Sequence, residues 1–146
     1  MIKKTPITHD LKKVFPSLAQ RLAQEKDILF AYIGGSYGKG KEGPLSDIDI
    51  AIFLTNNAED YFVKKIELYN LATEVLCTDE VDIIILNEAT SEFAFNLIKN
   101  STLLLSNDEA KRIVFETKVI REYQDFGYYR ERMIKEYLKR IKEGIK

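Results

Sequence analysis

At 146 residues the chain is long enough to enclose one hydrophobic core and too short for two, so residues 1–146 are read as a single domain. Hydrophobic residues make up 45% and charged residues 31%, with eight Tyr and eight Phe, which excludes a disordered chain. A net charge of -1 excludes a basic nucleic-acid footprint spread over the whole molecule, and a single cysteine and single histidine, Cys77 and His9, exclude an internal disulfide, a cysteine-rich zinc site and any mechanism needing several histidines. The basic N-terminus is followed by no apolar h-region, and no apolar run approaches the roughly 18 residues of a membrane span. A cytoplasmic protein is expected.

Leu11, Val14, Phe15, Leu18 and Leu22 recur at helical steps between Asp10 and Lys26, with Pro16 expected to interrupt the helix. Ile28 to Ile33 reads as a buried strand running into Gly34-Gly35, and Tyr37 to Pro44, with Gly38, Gly40 and Gly43, as a loop. Ser46 to Leu54 alternates with the β period, placing Asp47, Asp49, Ala51 and Phe53 on one face and Ile48, Ile50, Ile52 and Leu54 on the other. Asn57 is the expected cap of a helix to about Leu76, with Phe62, Ile66, Tyr69 and Val75 as candidates for burial.

Val81 to Leu86 reads as a third strand, Ser91 to Lys99 as a helix and Thr102 to Leu105 as a short strand. A long last helix begins at Asp108, where Ser106-Asn107-Asp108-Glu109 has capping-box spacing and Gly127 is a candidate break. Its end carries Ile134, Leu138, Ile141 and Ile145 at steps of four, three and four, beside a second row of Tyr129, Met133 and Tyr137. Tyr123, Phe126, Tyr128, Tyr129 and Tyr137 are read as core and helix-packing groups, with a partner surface as the alternative. The predicted fold class is α+β, a small mixed sheet flanked by helices with a long C-terminal helix.

The segment Gly35-Ser36, ten residues, Asp47-Ile48-Asp49 holds the candidate chemistry. Glycine lets backbone N–H groups approach phosphate oxygens with no Cβ in the way, and the Ser36 hydroxyl adds a donor. Two carboxylates on one strand face, about 6–7 Å apart along the strand, suit hard cations and the phosphates they accompany. Asp82 stands between Val81 and Ile83 in an otherwise apolar strand, where a charge is costly unless compensated. If that strand neighbours the second, three carboxylates converge, and a metal would offset their repulsion.

The Gly-Ser, ten-residue spacer, Asp-x-Asp signature resembles that of the minimal nucleotidyltransferases of the DNA polymerase beta superfamily, and the likeness extends through Val81-Asp82-Ile83 to Tyr123-Gln124-Asp125-Phe126 near the end of the chain. Gly34 stands where a bulkier apolar residue is usual and Gly38 where alanine often stands. The resemblance implies the nucleotidyltransferase fold. It also implies a two-metal Mg²⁺ site on Asp47, Asp49 and Asp82, with Asp82 activating the acceptor hydroxyl, and ATP phosphates held by Gly35 and Ser36, with Lys39 where relatives often have arginine. It further implies transfer of AMP from ATP to a tyrosine of a HEPN-domain RNase toxin, which would make the chain an antitoxin.

Two other functions fit the same residues. One is a small-molecule, antibiotic-type nucleotidyltransferase. The other is a non-catalytic antitoxin that covers its partner through the terminal helix, as part of a homo- or hetero-oligomer.

Overall fold

The apolar run from Ile28 forms the strand around which the sheet is built. In the computed structural model, which describes residues 13–34, 48–56 and 60–144, the elements follow in the order α1 (Phe15–Ala23), β1 (Ile28–Gly34), β2 (Ile48–Leu54), α2 (Tyr61–Leu76), β3 (Val81–Ile85), a 3₁₀ turn (Leu86–Glu88), α3 (Ser91–Lys99), β4 (Thr102–Ser106) and α4 (Glu109–Gly144). The strands lie in the order β3-β2-β1-β4; β1 is antiparallel to both neighbours, and β2 and β3 are parallel. This is a mixed sheet in an α+β arrangement, as the pattern predicts. No helix among the described residues is long and apolar enough to cross a membrane.

Alternation along the strands gives the sheet two apolar faces. Ile33, Ile48, Ile50, Ile52, Leu54 and Ile83 pack against α1 and α2 through Leu18, Leu22, Leu68, Ala72 and Leu76. Phe30, Tyr32, Ala51 and Leu86 pack on the other side against Ala94 of α3 and Val119 of α4, with Phe53 and Phe115 at the margin. Each fully buried large side chain contributes about 1.5–3 kcal/mol of transfer free energy. The parallel ladder is prolonged by Asn87, whose amide accepts from Leu54 N–H and donates to Leu54 C=O, both at 2.8 Å. Asn107 ties the end of β4 to the corner before β1 by donating to Ala23 C=O and Ile28 C=O at 3.2 and 3.0 Å.

Several local expectations are corrected. Pro16 lies in the first turn of α1 and starts the helix, because at that position its missing N–H costs no intrahelical bond. Asn57 lies outside the described residues, and the N-cap of α2 is Asp60, whose carboxylate accepts from Phe62 N–H at 2.8 Å. Phe62 and Ile66 are exposed; the buried stripe of α2 is Leu68, Ala72 and Leu76, while Tyr69 and Val75 pack at its margin. At the start of α4 the carboxylate of Asp108 accepts from Lys111 N–H at 3.1 Å and acts as the cap, and the Ser106 hydroxyl donates to Glu109 at 2.8 Å. Gly127 breaks nothing, since α4 runs through it for 36 residues. Of the five aromatic residues expected to pack, Tyr123 stacks on Phe95 at 4.0 Å, but Phe126, Tyr128, Tyr129 and Tyr137 are exposed.

Cys77 closes α2 in the left-handed region at φ 56°, and it is the only described non-glycine residue with positive φ. Left-handed backbone costs a residue with a Cβ roughly 1–2 kcal/mol. Cys77→Gly should therefore raise the free energy of unfolding by about 0.5–1 kcal/mol after glycine's greater unfolded-state entropy is subtracted. Urea denaturation checks this, and a loss of stability would contradict it.

Candidate active site

Asp49 is the second residue of β2 and Asp82 the second of β3, and the parallel register makes them direct partners. Both project on the side of Ala51 and Ile84, away from the isoleucine face of β2. Adjacent strands lie about 4.8 Å apart, so the two carboxylates flank one small volume at the edge of the sheet, where their mutual repulsion is roughly 1–3 kcal/mol. Asp49 is half-buried and Asp82 exposed, which leaves the pair open to a ligand from outside. The sequence-level condition that the third strand neighbours the second is met.

Gly34 faces Asp49 across the antiparallel β1–β2 pair. A Cβ added there would sit 3.6 Å from Asp49 Cβ and 3.8 Å from Ser101 Cβ, in ordinary van der Waals contact with both. Gly35, Ser36, Lys39 and Asp47 lie outside the described residues. The segment that contains them is joined to Gly34 on one side and to Ile48 on the other, and both of these stand at the edge that carries Asp49 and Asp82. Among the described residues no group of three or more His, Cys, Asp or Glu could hold a metal ion; the two carboxylates fit a hard cation as a pair to which one further ligand is added.

Several residues that support the site were not singled out by motif. Glu80 is buried, and its carbonyl accepts from Ile48 N–H at 3.1 Å, fastening the start of β2 to the start of β3. Its β parity with Asp82 was the available signal. Ser101, at the turn from α3 into β4, faces Gly34 and gave no signal in the sequence.

Tyr32, two residues before Gly34, is buried and donates its hydroxyl to Glu116 of α4. Burial, and then the Glu116 carboxylate, raise its pKa. Arg112 donates to Glu116 at 2.8 Å and through Nε to Glu109 at 2.8 Å, and hydrogen bonds from Arg112 and Ser106 hold the Glu109 carboxyl down at about 2. This chain of charge-assisted bonds clamps α4 to β1 next to the site. A separate cavity of about 660 Å³, lined among others by Leu29, Phe53, Leu86, Asn87, Lys111 and Phe115, lies at the opposite end of the strands.

The fold agrees with that of known structures. A family model described as polymerase beta, nucleotidyltransferase matches residues 17–110. None of the curated proteins matches the sequence. Among solved structures, a toxin–antitoxin with AMP-PNP superposes with a TM-score of 0.66 at 22% identity over 87% of this chain and 98% of that one. A tri-AMPylated Shewanella oneidensis HEPN toxin in complex with MNT antitoxin gives 0.64 at 20% identity over 88% and 99%. The toxin–antitoxin MntA-HepT gives 0.62 at 20% over 86% and 98%. With the family model spanning well over half of the sequence and the aspartate pair standing in register at the sheet edge, this chain belongs to the polymerase beta nucleotidyltransferase family.

Proposed function

We propose that the protein transfers AMP from ATP to a tyrosine hydroxyl of a HEPN-domain RNase toxin in the cytoplasm, and so acts as its antitoxin. The observation that carries this reading is the in-register pair Asp49 and Asp82 beside Gly34, at the edge where the Gly35-Ser36 and Asp47 segment joins the sheet. The likeness to complexes of HEPN toxin with MNT antitoxin, one of them AMPylated, supports the choice of acceptor.

In this scheme Gly35 and Ser36 donate hydrogen bonds to the triphosphate, and Lys39 adds a positive charge nearby. The acceptor oxygen attacks the α-phosphorus, the bond from that phosphorus to the bridging oxygen breaks, and pyrophosphate leaves with the electron pair. Asp82 takes the hydroxyl proton. Asp47, Asp49 and Asp82 would hold Mg²⁺, which supplies charge neutralisation at the phosphates and acidifies the acceptor hydroxyl.

The test is incubation of the RNase with ATP and Mg²⁺, using wild type and Asp47→Asn, followed by intact mass. AMP should accumulate on the RNase with wild type and not with the variant. A wild-type reaction that leaves the RNase unmodified overturns the reading. A purely covering antitoxin is favoured by the exposed end of α4, and it predicts that a variant with Asp47, Asp49 and Asp82 all replaced by Asn silences the RNase as well as wild type does.

A further inference from the structure

The cavity at the far end of the strands takes no part in the transfer scheme. Phe53 in its wall stands four residues along β2 from Asp49, about 13 Å away, so an occupant of the cavity does not meet the acidic pair. Its volume of about 660 Å³ falls within the range of roughly 300–1,000 Å³ typical of small-molecule sites. Leu86, Ala94 and Val119 are buried beneath it. The half-buried rings of Phe53 and Phe115, 4.7 Å apart and inclined at 48°, form an aromatic wall.

The polar side chains in this wall are mostly engaged elsewhere. Both ends of the Asn87 amide are bonded to the Leu54 backbone, the Ser91 hydroxyl donates to Glu122, and the Tyr61 ring packs toward the core on the other face of the sheet. A sugar or a nucleobase placed on the apolar floor would bury its polar edges without partners. The mouth is different. Lys111 and Lys118, two turns apart on α4 and about 10 Å along its axis, are both exposed at the edge of the cavity. Neither forms an ion pair among the described residues. The one carboxylate in the lining, Glu122, already accepts from Ser91.

We infer that the cavity is a second binding site, for a small aromatic carboxylate of one or two rings. The ring lies on the floor against Phe53 and Phe115, where tilted and offset aromatic contacts are favourable. The carboxylate stays at the mouth between the Lys111 and Lys118 ammonium groups, whose long stems let them converge on it. A ligand with one apolar body and one anionic end matches a site with an apolar floor and a cationic rim. The site is independent of the AMP-transfer reading and stands or falls without it.

The probes are 2-naphthoate and (2-naphthyl)methylammonium, which share a ring system and carry opposite charges, titrated into the full chain by calorimetry. The naphthoate should bind with a Kd of about 0.1–1 mM, ordinary for a ligand of this size, and the ammonium at least about tenfold more weakly. Ring currents from bound naphthoate should move the methyl NMR signals of Leu86, Ala94 and Val119. Lys111→Gln with Lys118→Gln, both at exposed helical positions, should erase the preference for the anion. Several results overturn the site: no binding of the naphthoate, equal binding of the two probes, a preference that survives the double substitution, or methyl shifts at Met133 and Ile134 on the exposed end of α4 in place of those in the cavity. Tighter binding of octanoate than of naphthoate overturns the aromatic assignment.

Discussion

Asp49→Asn should lower the rate of AMP transfer by about three orders of magnitude, the equivalent of roughly 4 kcal/mol of lost transition-state stabilisation, while the melting temperature stays at or above that of wild type. The amide has the size and shape of the carboxylate but none of its charge, so the β2–β3 register that pairs position 49 with Asp82 is kept. What disappears is one of the two described negative charges at the sheet edge, charges of the kind that attract a hard cation and its phosphates. Repulsion between the pair is relieved at the same time, and activity and stability should therefore move apart, as they do where a site is built against the interests of the fold. Initial rates of AMP incorporation and a thermal melt on the same preparation decide the matter. Turnover within tenfold of wild type would remove Asp49 from the mechanism, and a large fall in melting temperature would make it a structural residue.

Phe30→Ala should cost about 3–5 kcal/mol, the range for emptying a large aromatic from a core. Phe30 is fully buried in the centre of β1, stacked on Phe53 at 4.9 Å, tilted against Phe115 at 5.5 Å and edge-on to Tyr32 at 5.9 Å. No backbone rearrangement of a central strand can refill that space, because β1 is bonded to β2 and β4 on its two sides. Against a total stability of about 5–15 kcal/mol this is a large fraction. At about 2–4 °C per kcal/mol the melting temperature should fall by about 6–20 °C. Calorimetry that found a drop below about 3 °C would mean that Phe115 collapses into the gap and the aromatic cluster is more plastic than its stacking implies.

The strands were legible because alternation in β2, the unbroken apolar run of β1 and the apolar run of β3 interrupted only by Asp82 have one structural solution at that length. The same alternation put Asp47 and Asp49 on one face of their strand, but the pairing of Asp49 with Asp82 needed the sheet order, which no local pattern encodes. α2 misled because apolar residues surround it: Phe62 and Ile66 satisfy a helical period as well as Leu68, Ala72 and Leu76 do, and only the position of the sheet decides which stripe is buried. The cap of α4 misled because Ser106 and Asp108 both suit the role, and β4 reaches through Ser106, leaving Asp108 as the first residue free to turn. The aromatic end of α4 reads from sequence as packing surface. In the structure only Tyr123 of these packs, on Phe95, while Phe126, Tyr128, Tyr129 and Tyr137 are exposed, because the period of a helix does not say how far its neighbours reach along it.

The order of elements also sets a schedule. β1, β2 and β3, with Asp49 and Asp82, are complete by Ile85, whereas the exposed aromatic stretch of α4 begins some forty residues later, at Phe126. At translation rates of about 5–20 residues per second that interval is roughly 2–8 s. The nascent chain thus has the strands that carry its acidic pair before it has the greasy surface, which emerges when those strands are already available to fold.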